Sequence, residues 1–128
     1  MAKSPGRPKK NISKSQGEYV PHRGDIVWID LDPSQGSEIK KTRPALVISP
    51  SSYNEKVGLA LLCPITSSQK GYPFEVELPQ KGKIKGVILA DQLKSLDWRI
   101  RNVTFEEKVS TWVMTSVIEK VSVLIEFP

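Results

Sequence analysis

Apolar residues in this chain arrive in short runs, and that patterning excludes most folds before any single residue is weighed. DIVWIDLD (25–32), ALVIS (45–49), LALLCPI (59–65), FEVEL (74–78) and GVILA (86–90) are five to eight residues long and bounded by Pro, Gly, Ser or Asp. Val and Ile recur in them, as expected of strands. In DIVWIDLD, alternation sets Ile26, Trp28 and Asp30 on one face and Val27, Ile29 and Leu31 on the other. FEVEL alternates strictly and is expected to be half exposed. A last strand is expected over Val103–Val109. The period changes only after Ser110: Met114, Val117, Ile118, Val121, Leu124 and Ile125 recur at helical spacing, with Ser110 placed to cap the first turn. A much shorter helix is expected after Pro50, ending before Gly58. Without βαβ alternation or an internal repeat, the expected fold class is α+β with β dominant. It is a small, strongly curved barrel of five to seven strands with the C-terminal helix packed on it.

The 128 residues suit one domain and allow about two-thirds of the unfolded surface to be buried. Charge is uneven: Lys3, Arg7, Lys9, Lys10 and Lys14 against Glu18 give residues 1–18 a balance of +4, which leaves +1 of the chain's +5 for everything after. That segment has no hydrophobic period and reads as a basic, disordered tail preceding a domain over 19–128. A body so nearly neutral binds a polyanion only through local charge, to which the tail adds an attraction that salt screens. Apolar runs fall far short of the roughly 20 residues that cross a bilayer, and none sits near the N-terminus, so a cytoplasmic protein without a membrane partner is expected. A single Cys and a single His exclude an intrachain disulfide and the usual zinc cluster, so no metal or cofactor is expected. Cys63, in an apolar run, is expected to be inert core, and His22 a surface residue.

Three polar segments adjoin the strands: Gly36 to Arg43, Thr66 to Lys70 and Asp91 to Arg101. In the first, Arg43-Pro44 stands where a lysine-bearing loop becomes the run ALVIS. An arginine held there by a strand presents a planar fork of donors that suits a phosphate. An ion pair with a surface carboxylate is the plainer alternative. Lys81, Lys83 and Lys85 read most simply as a solvated hairpin tip. Trp28 reads as core or dimer surface, and Trp98, between basic residues, either stacks a base or packs under arginine stems.

Four fragments, GDIVWIDLDPSQGSE, KTRPALVISPSSYN, CPITSSQKGYPFEV and GVILADQLKSLDWRIR, follow one another over about Tyr19 to Ile125. In order and spacing they resemble the MazF/PemK family of toxin endoribonucleases from bacterial toxin–antitoxin pairs. The resemblance implies an SH3-like barrel that forms a homodimer and cleaves single-stranded RNA at short sequences without a metal. It also implies an antitoxin whose acidic, disordered segment occupies the RNA groove. By matching motif, Arg43 and Thr66 are implied as the catalytic pair, with Glu38 in the active-site loop. Ser37, Lys41, Ser67, Ser68, Gln69, Asp91, Gln92 and Lys94 are implied contributors to RNA binding. Plasmid-borne members can carry His where this chain has Ser37 and Arg where it has Leu89, so the chromosomal branch is the better match.

Metal-free cleavage of RNA uses the 2′-hydroxyl as nucleophile. It requires a proton acceptor, a donor to the leaving oxygen, and positive charge on the pentacovalent phosphate. Arg43 can supply the charge, and Thr66 a hydroxyl for a non-bridging oxygen. Arginine is a poor base because its pKa lies above about 12, and Glu38 is assigned the proton acceptor. Two readings of other classes compete: a gyrase-poisoning toxin of the same barrel type, and a non-catalytic nucleic-acid-binding barrel. Gyrase-directed relatives end in Trp-Gly-Ile, whereas this chain ends Ile-Glu-Phe-Pro.

Overall fold

Strand β1 (Asp25–Asp30) leads to β2 (Thr42–Val47), helix α1 (Ser51–Val57), and strands β3 (Ala60–Thr66), β4 (Glu75–Glu77), β5 (Val87–Leu89) and β6 (Lys94–Leu96). A 3-10 turn (Trp98–Ile100), β7 (Thr104–Lys108) and helix α2 (Thr111–Ile125) complete the chain. These coordinates are a computed structural model that describes residues 18–32 and 41–128. All of the expected tail except Glu18, and the stretch carrying Ser37 and Glu38, lie outside the described residues.

The strands form one antiparallel sheet in the order β4-β5-β3-β2-β1-β7, with β6 also pairing β3. β3 is the hub. It pairs with β2 along one edge, while β6 takes Ala60–Leu62 and β5 takes Ile65–Thr66 on the other. Its run of Leu, Cys and Ile is apolar throughout because both faces are covered. Ile26, Leu46, Cys63, Ile88, Val113, Val117 and Val121 form one core layer, between the sheet and α2. Val27, Ile29, Ala45, Val47, Leu62 and Trp98 form a second layer on the opposite face.

Several expectations need correction. β2 begins at Thr42, so Arg43 lies inside the strand and not at its threshold. Pro44 is tolerated there because the β3 ladder starts only at Ala45, which leaves β2 with one hydrogen-bonded neighbour where the missing N–H falls. The segment after Asp91 is no open polar run: it supplies β6 and the 3-10 turn, and Trp98 and Arg101 are both buried. Trp98 is therefore core, its Nε1 donating to the carbonyl of Asn54 at 3.0 Å, with Arg99 over its ring. α2 starts as its cap predicts, Ser110 Oγ accepting from the Val113 N–H at 3.3 Å. Its apolar stripe stays buried only as far as Val121, and Leu124 and Ile125 are exposed. His22 is exposed and Cys63 buried, as expected.

β4 and β7 stand at the two ends of the strand order, and no ladder joins them among the described residues. Side chains span the gap instead. The Glu107 carboxylate accepts from the backbone N–H of Lys83 at 3.3 Å and of Ile84 at 2.9 Å. Beside it, Glu106 accepts from Trp28 Nε1 at 2.9 Å and lies 3.9 Å from Lys83 Nζ. Two adjacent glutamates of β7 thus hold the β4–β5 hairpin across an open seam. No helix among the described residues is long and apolar enough to cross a membrane.

Candidate active site

Ala45 faces Pro64 in the last pair of the β2–β3 ladder, with Arg43 two residues before the one and Thr66 two residues after the other. Alternation along each strand puts Arg43 on the face of Ala45 and Thr66 on the face of Pro64. Both side chains therefore leave the sheet on the same side, and both line one cleft of about 610 Å³. The cleft lies across the end of the sheet where β1 finishes (Trp28, Leu31, Asp32), β2 begins (Lys41, Arg43, Pro44), β3 finishes (Pro64 to Ser67) and the hairpin turns (Lys83, Ile84, Lys85).

Charge in the cleft is one-sided. Among the described residues that line it, Lys41, Arg43, Lys83 and Lys85 face one carboxylate, that of Asp32. Arg43 is exposed, and its side chain has no hydrogen-bond or ion-pair partner among the described residues. No described residue competes with a ligand for its fork. Thr66 Oγ1 accepts from the Ser68 N–H at 3.1 Å, which leaves the hydroxyl proton free to be donated into the cleft. The loop that follows is braced from below, with Glu75 accepting from the N–H groups of Lys70 and Gly71 at 3.1 and 2.9 Å. Lys85 Nζ donates to the carbonyls of Gln80 and Gly82, which makes it a fixed charge and not a roaming one. Gly86 packs so closely under Thr66 that a Cβ there would lie 2.2 Å from the Thr66 carbonyl oxygen.

Of the residues singled out from sequence, the structure brings Arg43, Thr66, Lys41 and Ser67 together. Ser68 and Gln69 are exposed immediately beyond the lining. Asp91, Gln92 and Lys94 do not line the cleft. β5 runs antiparallel to β3, so Val87 lies beside Thr66, but Asp91 is four residues further on, in the turn past the end of β5. Lys94 pairs with Leu62, an equal distance back from Thr66. The charge of Asp91 is instead felt at Cys63. Burial, and second to it that charge, pushes the Cys63 thiol up to about 12 and leaves it inert. Ser37 and Glu38 lie outside the described residues.

Sequence reasoning passed over Asp32, Lys83 and Lys85. The alternation Lys-Ile-Lys over 83–85 was the available signal, since it sets two cations on one face of the hairpin and an apolar residue on the other. Among the described residues no group of three or more His, Cys, Asp or Glu is placed to hold a metal ion.

Comparison with known proteins identifies the family. A family described as PemK-like, MazF-like toxin of type II toxin–antitoxin system matches residues 22–125. Endoribonuclease toxin MazF of Escherichia coli (strain K12) is 47% identical over 107 residues, which cover 84% of this chain and 96% of that protein. Endoribonuclease PemK of Escherichia coli is 31% identical over 107 residues, covering 80% of each. The crystal structure of MazF (Form-I) from Deinococcus radiodurans matches with a TM-score of 0.78 at 44% identity, over 86% of this chain and all of that one. That of MazE-MazF (Form-II) from the same organism matches with a TM-score of 0.77 at 40% identity, over 87% of this chain and 100% of that one. With the match spanning nearly the whole folded region, and the Arg43 and Thr66 motifs within it, the chain belongs to the PemK-like, MazF-like family of type II toxins.

Proposed function

We propose that this MazF-like endoribonuclease toxin cuts single-stranded RNA at short sequences without a metal. The 2′-hydroxyl attacks, leaving a 2′,3′-cyclic phosphate and a 5′-hydroxyl, and loss of message arrests translation and growth. The observation that carries the reading is that Arg43 and Thr66 line one basic cleft. The guanidinium gathers charge from the pentacovalent phosphate and the Thr66 hydroxyl donates to a non-bridging oxygen, contacts that strengthen as the phosphate becomes more negative. Lys41 and Lys83 hold flanking phosphates. Glu38 is the proton acceptor assigned from sequence, and Asp32 is the carboxylate present in the cleft. Comparing Glu38→Gln with Asp32→Asn decides which of them takes the proton. Ser37, Ser67, Ser68 and Gln69 extend the groove along the RNA, whereas Asp91, Gln92 and Lys94, off the cleft lining, would meet only RNA that runs beyond it.

The same cleft suits the acidic segment of a cognate antitoxin, because a chain of carboxylates meets the cations that otherwise meet phosphate. A homodimer, a basic arm over residues 1–18 and a cytoplasmic location belong to the same proposal. Purified protein is incubated with single-stranded RNA in excess EDTA, and the ends of the products are mapped. Cleavage to cyclic-phosphate ends is expected, with Arg43→Ala and Thr66→Ala each slower by about 10²-fold or more. RNA bound but left intact by the unaltered protein, or cut normally by Arg43→Ala, would overturn the proposal.

A further inference from the structure

We propose that Arg101 is a positioning residue for this cleavage, setting from behind the cleft wall that faces Arg43. The inference rests on the nuclease reading above. Pairing of β1 with β2 ends at Asp30 opposite Thr42, yet Leu31 and Asp32, just past the ladder, line the cleft. Their path is fixed by Arg101. Its Nη1 donates to the carbonyls of Asp30 at 3.0 Å and Asp32 at 2.7 Å. Its own carbonyl accepts from the Asp30 N–H at 3.0 Å. Asp97 Oδ1 accepts from Nε at 2.7 Å and orients the fork. The Asp32 N–H in turn donates to Asp30 Oδ1 at 3.0 Å.

The residue is only 7% exposed, which keeps it from the RNA. A buried guanidinium is costly to desolvate, and mere filling of the space would be served by an apolar side chain. Aiming one nitrogen at two carbonyls, one at the last ladder pair and one just past it, does something an apolar residue cannot. It fixes where the chain leaves the sheet, and with it the distance from Asp32 and Leu31 to the phosphate held by Arg43. Removing it leaves the cations that bind RNA in place but lets the reacting nucleotide sit out of line. Turnover falls while binding is kept.

The test is steady-state cleavage of a defined single-stranded RNA by Arg101→Lys, which keeps the charge and loses the fork, with folded fraction measured by urea denaturation. kcat is expected to fall about tenfold or more with KM held within about threefold. Asp97→Asn, which leaves Arg101 in place but removes its counter-charge, is expected to move in the same direction and decides the matter if Arg101→Lys does not fold. A kcat lowered by threefold or less, a loss no larger than the loss of folded protein, an effect carried by KM, or failure of both variants to fold would each overturn the proposal. Absence of cleavage by the unaltered protein would instead remove the nuclease reading itself.

Discussion

Gly86→Ala is expected to disable the cleft with a change of one methyl group. At Gly86, φ is +117°, a region that costs an L-residue about 1–2 kcal/mol. The added Cβ would also lie 2.2 Å from the Thr66 carbonyl oxygen, 2.9 Å from its carbon and 3.0 Å from Ser67 Cα. All three are backbone atoms of the strand end that carries the Thr66 hydroxyl, so no flexible side chain can swing away. Restoring ordinary contact moves the Thr66 main chain by about 1 Å, at an overpacking cost of about 1–3 kcal/mol. Together these destabilise by roughly 2–5 kcal/mol, against about 5–15 for a whole domain, so folded protein remains to be assayed. A 1 Å displacement of a catalytic group costs on the order of 10²-fold in rate. Gly71 is the control: its φ is also positive, +82°, but nothing lies within 4 Å of its added Cβ. Gly71→Ala should lose only about 1–2 kcal/mol and keep its activity per folded molecule. Urea denaturation and initial rates of RNA cleavage, corrected for folded fraction, are measured on both. If Gly86→Ala loses no more stability than Gly71→Ala and cuts within twofold of the unaltered rate, the close approach does not control Thr66.

Other outcomes follow from the same geometry. Lys83, three-quarters exposed and only loosely paired with Glu106, is expected to contact one phosphate. Lys83→Met should then reduce the slope of log affinity against log salt by about 0.7, and an unchanged slope would remove Lys83 from the groove. With its thiol pushed up to about 12 by burial first and by Asp91 second, Cys63 carries very little thiolate at pH 8. Iodoacetamide should therefore modify the folded protein about a thousandfold more slowly than the urea-unfolded chain; equal rates would show that Cys63 is accessible. Trp98→Phe loses the bond to the Asn54 carbonyl and leaves a gap in the second core layer. It should lower stability by about 1–3 kcal/mol, read as the urea midpoint; an unchanged midpoint would contradict the packing described.

Features set by local pattern were legible in the sequence. Helix α1 ends before Gly58, and α2 begins where Ser110 is placed to cap it, because a period and a cap are properties of neighbouring residues. β6 was not legible: Lys-Ser-Leu carries no alternation and becomes a strand only because β3 offers it a free edge. The same reasoning separates the site residues. Arg43 and Thr66 lie within motifs recognisable in the sequence, whereas Lys83 and Lys85 reach the cleft only because the ends of the sheet come together. Arg101 looks like a surface cation in sequence, since the partners that bury it are carbonyls, which every residue possesses. Leu124 and Ile125 follow the helical period but lie beyond the last buried position, a fact about where the sheet stops.

The seam between β4 and β7 has a consequence for how such proteins diversify. Because the hairpin is held to β7 by Glu106 and Glu107 and not by a continuous ladder, its length and composition can change without re-registering any strand. The aperture over Arg43 is thus adjustable separately from the scaffold that supports it. Substitutions confined to residues 79–85 can reshape that aperture while Arg43 and Thr66 stay where β2 and β3 put them.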